Sequence, residues 1–353
     1  MKPITRRWAY NVSRRATEQI TLNQDRPDLS YFGEITFGTG EPQELNVLFD
    51  TGSADLFVIG DECNSPACSR KLKYNSYLDD SYKAIERPFH VEYVSSAFAK
   101  GSCATTDIKI GSLSVETQDF GLVDTISDNF ADLTFAGIMG MALSSASENL
   151  QLTPVTNLIN SKALEQPQFS FMLGRDADKT PSELTIGGSN PARYDANSLT
   201  WTNLVDDNHG LWKIPLDDCF VSDQPLGFQD RIGSIDTGSA SIIMPSADAK
   251  TLYGKIPKSV ALDKGFYSIP CKTNIVISLR FSGMTWNMDH RDFVLKEGEN
   301  CFGSIQGIDT VFFFQNPSGS DTTWIIGVPF LKNVYSIFDQ GEFRVGFATL
   351  NQL

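Results

Sequence analysis

The sequence predicts an all-β dominated protein built from two homologous lobes with a few short helices. Three observations carry this. The tetrapeptide Asp-Thr-Gly-Ser occurs twice, at 50–53 and 236–239, each time between short apolar runs. Each copy is answered downstream by two apolar residues and a glycine, Ile138-Met139-Gly140 and Ile325-Ile326-Gly327, whose glycines lie 90 and 91 residues beyond the aspartates. A common pattern at a common offset is an internal repeat and implies two related units in one chain. Third, 27 glycines and 16 prolines break the apolar stretches into short runs, which favours strands and tight turns over helix bundles. At 353 residues the chain suits two domains of ordinary size.

The elements follow in chain order. Residues 30–37 (SYFGEITF) and 44–49 (ELNVLF) alternate as strands do, with a turn at Gly38-Thr39-Gly40-Glu41-Pro42 between them. Residues 88–94 and 105–110 read as a hairpin with a long tip, closed by Gly111-Ser112. Residues 115–123 and 134–141 are further apolar strands, and 154–164 and 246–253 are helical patches. The stretch 176–198 is polar and turn-rich apart from Leu184 to Gly188, and a lobe boundary is expected near 190–205. The division is thus a basic segment 1–16, an N-terminal lobe 17–195 and a C-terminal lobe 196–353. The run from Val334 to Leu350 reads as two strands around a turn at 339–342.

Charge narrows the partners. Residues 1–15 carry five basic side chains and no acid, so the remaining 24 basic and 43 acidic residues give the body a net charge of −19. Such a body repels phosphates, which argues against nucleic acid. No run approaches the roughly eighteen apolar residues of a membrane span. The basic head can dock on the acidic body. No apolar signal-peptide core is seen at the N-terminus, as expected of a secreted chain whose leader has been replaced by a start residue. Arg6-Arg7 and Arg14-Arg15 are dibasic pairs of the kind processing proteases cut, and Asn11-Val12-Ser13 is a glycosylation sequon. Six cysteines permit fifteen pairings, and sequence alone does not choose among them. The expected bridges are Cys63 with Cys68 and Cys271 with Cys301, which leaves Cys103 and Cys219 unassigned and implies an oxidising compartment. The three histidines lie away from the Cys63–Cys68 loop, so no metal is implied.

Two aspartates presented from matching turns point to a particular chemistry. Carboxylates brought close cannot both ionise cheaply, so Asp50 and Asp236 would share one proton and titrate as a pair. The ionised member can take a proton from a trapped water while the other protonates a carbonyl oxygen. The result is direct attack of water on an amide, with no cofactor. Gly52 and Gly238 give the turns backbone freedom. Thr51 and Thr237 carry short hydroxyls able to bond the backbone of the opposite lobe, and Ser53 and Ser239 can bond outward-facing carboxylate oxygens.

The chain resembles the pepsin-like aspartic peptidases, and within them the secreted fungal type, from about Glu18 onwards. The resemblance rests on YFGEITFGTG (31–40), FDTGSADLFV (49–58), the CNSPAC loop (63–68), FAGIMGMAL (135–143), FSFMLG (169–174), SIDTGSASIIMP (234–245) and WIIGVPFLKNVYSIFDQGEFRVGFA (324–348). It implies a bilobal β-fold with a long cleft between the lobes, Asp50 and Asp236 as the catalytic pair, and extended polypeptide substrates. It also implies that 88–110 is a flap with Tyr93 leaning over substrate, Val94 and Ser95 offering backbone groups to it, and Phe120 and Ile138 lining the main apolar specificity pocket. The molecule is expected to be a secreted or vacuolar acid endopeptidase that works as a monomer. A non-catalytic binder or inhibitor of the same fold is the alternative. Residues 1–16 resemble the end of a propeptide and are expected to latch a basic side chain against the catalytic carboxylates.

Several positions depart from the family pattern. Phe57 stands where a tryptophan is usual, so no ring N–H is there to hold the flap tyrosine. Val94 replaces the glycine after that tyrosine, and the flap tip (95–102) reads as longer than usual. An unusual flap resting position or mobility is the expected consequence. Val328 replaces an aspartate found in many members, which removes one carboxylate from the neighbourhood of the dyad. Ala54 and Ala136 replace commoner polar residues.

Overall fold

A computed structural model of the chain describes residues 15–205, 209–309 and 322–351. Strands dominate it, as predicted. Strand Ser30–Phe37 pairs antiparallel with Gln43–Asp50, with Phe32 opposite Leu48. The expected turn between them places Gly38 and Gly40 at φ +86° and +83°, where a side chain would be strained. Gln43–Asp50 then runs parallel to Gly137–Gly140, so that Asp50 sits opposite Gly140. Leu56–Ile59 completes this unit, antiparallel to Gly137–Gly140 and parallel to Leu113–Ile126.

The second half repeats the arrangement. Arg231–Ile235 lies parallel to Thr323–Ile326, and Ile242–Met244 is antiparallel to Thr323–Ile326 and parallel to Ile305–Gly307. Each Asp-Thr-Gly turn therefore leaves a central strand whose parallel neighbour ends at, or one residue before, the downstream glycine. Apolar, β-branched residues fill these central strands because both faces are buried.

Sequence did not reveal how the halves join. Six strands run in the order Thr200–Asn203, Arg344–Ala348, Tyr335–Asp339, Gln168–Met172, Ser182–Ile186, Glu18–Asp25, and they continue into Ser30–Phe37. The last two strands of the chain thus lie beside strands from the first half. One apolar cluster runs through both halves: Phe169 stacks on Phe338 at 4.9 Å, and Trp212 packs edge-on against Phe338 at 5.2 Å. Such aromatic pairs add about 0.5–1.5 kcal/mol each beyond their area burial.

Two expectations about elements are corrected. The hairpin strands are Lys83–Glu92 and Phe98–Ile110, so the hairpin tip is the short turn 93–97, not a long one. Ala97 and Ala99 are buried while Lys100 points outward, so the strand alternation is present but carried by side chains too small to signal it. The first helix is Pro154–Asn160, shorter than 154–164. Thr153 caps its start by accepting from the Thr156 N–H, and Lys162 at φ +58° turns the chain out of it. The second, Ser246–Tyr253, matches expectation. Among the described residues no helix is long and apolar enough to cross a membrane. Cys63–Cys68 and Cys271–Cys301 are bridged, while Cys103 and Cys219 are buried and unbridged.

Candidate active site

The two aspartates meet at the centre of the molecule, each at the end of a buried strand. The Asp50 carbonyl accepts from the Met141 N–H (2.7 Å), and the Asp236 N–H donates to the Ile326 carbonyl (3.1 Å). The two turns are then tied reciprocally. The Thr51 N–H donates to Thr237 Oγ1 (3.0 Å) and the Thr237 N–H to Thr51 Oγ1 (2.9 Å). Each hydroxyl in turn donates across the pair, Thr51 to the Ile235 carbonyl (2.8 Å) and Thr237 to the Phe49 carbonyl (2.7 Å). All four bonds are buried, so breaking one leaves an unpaired polar group out of reach of water.

The glycines are required by contact. A Cβ on Gly52 would fall 2.5 Å from the Asp236 carboxyl, and one on Gly238 would fall 2.3 Å from Asp50 Oδ1. Neither residue has positive φ, so close approach rather than backbone freedom fixes glycine here. The downstream glycines obey the same logic. A Cβ on Gly140 would meet Ala54 backbone at 2.4 Å, and one on Gly327 would meet the Ser239 and Ser241 carbonyls at 2.3 Å.

The carboxyl environments differ. Asp50 Oδ1 accepts from the Gly52 N–H (2.8 Å) and Oδ2 from the Ser53 hydroxyl (2.5 Å). Asp236 Oδ1 accepts from the Gly238 N–H (2.8 Å). Ser239 does not play the part of Ser53: the chain bends over Gly327 and brings the Ser241 carbonyl into reach, and the Ser239 hydroxyl donates there (2.9 Å). Burial, then the Asp50 charge, then a hydrogen bond with Asp50 raise the Asp236 carboxyl well above the usual carboxylate range. Val328 is buried, and its N–H donates to the Ser239 carbonyl (2.9 Å).

Tyr93 opens the hairpin tip. Its N–H donates to the Ala97 carbonyl (2.8 Å), and its carbonyl accepts from the Ser96 N–H (2.7 Å) across Val94 and Ser95. Its ring packs edge-on against Phe130 at 6.3 Å. Its phenol is raised well above the ordinary value by burial first, then by the negative charges of Asp50, Asp55 and Glu148. Tyr93 therefore hangs over the Asp50 side of the dyad. Its hydroxyl is buried and faces the Ser53 side chain, and Phe57, in the same apolar cluster, has no donor to give.

Ile138 lies in that cluster with Phe57, Phe130 and Phe135, against Tyr93. Phe120 does not. It is fully buried in the other core, packed on Phe37 at 5.9 Å and Tyr74 at 5.5 Å. Neighbouring residues of its strand face opposite sides of the sheet, and Phe120 takes the inner one. Phe130, which sequence reasoning missed, holds the place under Tyr93. It sits in the short turn Asp128–Phe130, where no periodicity marks it. Of residues 1–16, read as a basic latch, 1–14 lie outside the described residues. Ala16 is anchored, donating to the Ala163 carbonyl (2.8 Å) and accepting from the Glu165 N–H (3.1 Å).

Comparison with known proteins gives a consistent result. Residues 30–350 match the family model described as eukaryotic aspartyl protease. The chain is similar to major aspartyl peptidase 1 of Cryptococcus neoformans, 28% identical over 98% of this chain and 74% of the relative. It is 31% identical to cathepsin E-B of Xenopus laevis, over 91% of this chain and 79% of the relative. It is 30% identical to gastricsin of Rattus norvegicus, over 91% of this chain and 81% of the relative.

Proposed function

The chain belongs to the eukaryotic aspartyl proteases, aspartic-type endopeptidases whose substrates are polypeptides, and from that premise we propose that Asp50 and Asp236 are its catalytic pair. The single observation that carries the reading is the reciprocal packing of the two turns, in which each glycine lies against the opposite carboxyl. The pair holds one proton. Asp50, whose oxygens accept from the Gly52 N–H and the Ser53 hydroxyl, takes a proton from water, and Asp236, raised by its burial beside Asp50, delivers its proton to the substrate carbonyl oxygen. Collapse of the tetrahedral intermediate breaks the C–N bond as a proton passes to the amine. Tyr93, Val94 and Ser95 close over the extended substrate, and Ile138 lines the apolar subsite beneath.

The pH dependence follows from the raised Asp236 carboxyl. Below that raised value the pair keeps its shared proton. As pH rises through it the proton is lost, two charges face each other, and activity falls. The working range therefore lies below that value. Two disulfides support an oxidising compartment, which secreted and vacuolar proteins alike pass through.

Incubation with denatured haemoglobin across acidic pH tests the reading. The parent protein is expected to cleave it, with activity fading toward neutral pH, while Asp50→Asn and Asp236→Asn lose at least about a thousandfold in kcat. Absence of cleavage by the parent, or cleavage that survives either substitution, overturns it.

A further inference from the structure

The connection at residues 144–151 touches two parts of the site at once. At one end the Ser147 hydroxyl donates to Asp55 Oδ1 (2.6 Å), and the Glu148 and Asn149 N–H groups donate to the same carboxylate at 2.9 and 3.3 Å. Asp55 is buried five residues beyond Asp50, and its carbonyl accepts from the Gly140 N–H (3.0 Å). The connection is thereby fastened to the turn that carries Asp50.

At the other end the Asn149 side chain, itself buried, meets the flap. Its Oδ1 accepts from the His90 N–H (3.1 Å) and its Nδ2 donates to the His90 carbonyl (2.9 Å). Strand Lys83–Glu92 is the edge of its sheet, and an edge leaves backbone donors and acceptors open. One primary amide fills both at His90, as a residue of a neighbouring strand would. His90 lies three residues before Tyr93.

We propose that Asn149 is the positioning residue that sets the flap over the cleft, by tying the flap edge at His90 to Asp55 and so to the Asp50 turn. This rests on reading 83–110 as the substrate-covering flap. Phe57 cannot supply a hydrogen bond at the tip, so the flap is registered from its edge. Two buried hydrogen bonds suffice to shift a resting population about tenfold.

Asn149→Ala is compared with the parent on a peptide substrate, alongside amide hydrogen exchange. KM is expected to rise about tenfold with kcat within about threefold. Exchange is expected to quicken across 89–98 and stay unchanged in Gln43–Asp50. Asn149→Asp gives a second readout. A protonated carboxyl carries one O–H donor and one C=O acceptor, as the amide does, while the ionised form only accepts. KM of this variant is therefore parental at low pH and approaches that of Asn149→Ala as the new carboxyl ionises. Asp55, Glu148 and Glu92 push that transition upward, Arg87 opposes them, and Tyr93 and His90 complete the titratable surroundings.

Unchanged KM and flap exchange in Asn149→Ala overturn the proposal, as does faster exchange spread evenly through the lobe. If that variant does not fold, a pH-independent KM ratio for Asn149→Asp overturns it. Failure of the parent to cleave any substrate would instead sink the catalytic reading, and flap exchange would still judge the clamp.

Discussion

Phe120 and Phe130 are ten residues apart and look alike in sequence, yet they face different cores. Phe120 is sealed between Phe37 and Tyr74, and Phe130 supports Tyr93. Their alanine variants should separate cleanly. Phe120→Ala is expected to cost about 3–5 kcal/mol of stability with KM little changed. Phe130→Ala is expected to raise KM about tenfold for substrates with large apolar side chains, since it removes the ring beneath the flap. Denaturant melts and substrate titrations of both variants check this. The same scale holds what was legible and what was not in the dyad. The threonine bonds follow from residue type and symmetry. The distinct behaviour of Ser53 and Ser239 does not, because it depends on where the Ser241 carbonyl happens to lie.

Among the elements, the N-terminal hairpins are knit together by one carboxylate that sequence offers no reason to single out. Asp79 accepts from the Thr39 N–H (2.9 Å), the Ser81 N–H (2.8 Å) and hydroxyl (2.6 Å), the Tyr74 hydroxyl (2.5 Å) and the Thr106 hydroxyl. Burial alone would raise this carboxyl. The donors from Ser81, Thr106, Tyr74 and Thr39 outweigh it and hold the group at about 2. A depressed carboxyl stabilises the fold above its unfolded value of about 3.9, and that contribution is lost as pH falls toward 2. Asp79→Asn is therefore expected to be less stable than the parent at pH 5, with the gap closing by about pH 2, as measured by urea denaturation at each pH. The strands that meet here were visible from alternation wherever large apolar residues carried it. The start of the strand Phe98–Ile110 is silent in the sequence because its inward positions Ala99, Gly101 and Cys103 are small.

Across the whole molecule, the halves are joined by the shared sheet and by a charged cluster drawn from both. Asp292 takes Arg175 at 2.5 Å and Lys332 at 2.7 Å, and the Asn333 amide donates to it at 2.9 Å, while Lys332 also approaches Asp28 at 3.5 Å. Asp292 is only 2% exposed, so removing its charge takes the buried carboxylate from both Arg175 and Lys332 and leaves Lys332 only the longer approach to Asp28. Asp292→Asn is expected to cost about 3 kcal/mol. Arg291→Ala, at an exposed pair, is expected to change stability little, and thermal melts of the two variants compare them. The repeat made two related units legible from sequence, because a duplicated local motif is preserved residue by residue along the chain. It also determined that each unit presents one aspartate from a glycine turn, since apolar runs and turn residues act over a few neighbours. Only the tertiary structure decided that the last two strands return to the first half, that Phe130 rather than Phe120 packs on Tyr93, and that Asn149 bonds the edge strand at His90. Those contacts join residues far apart in the chain, and side-chain pairings across such separations are set by how whole sheets pack.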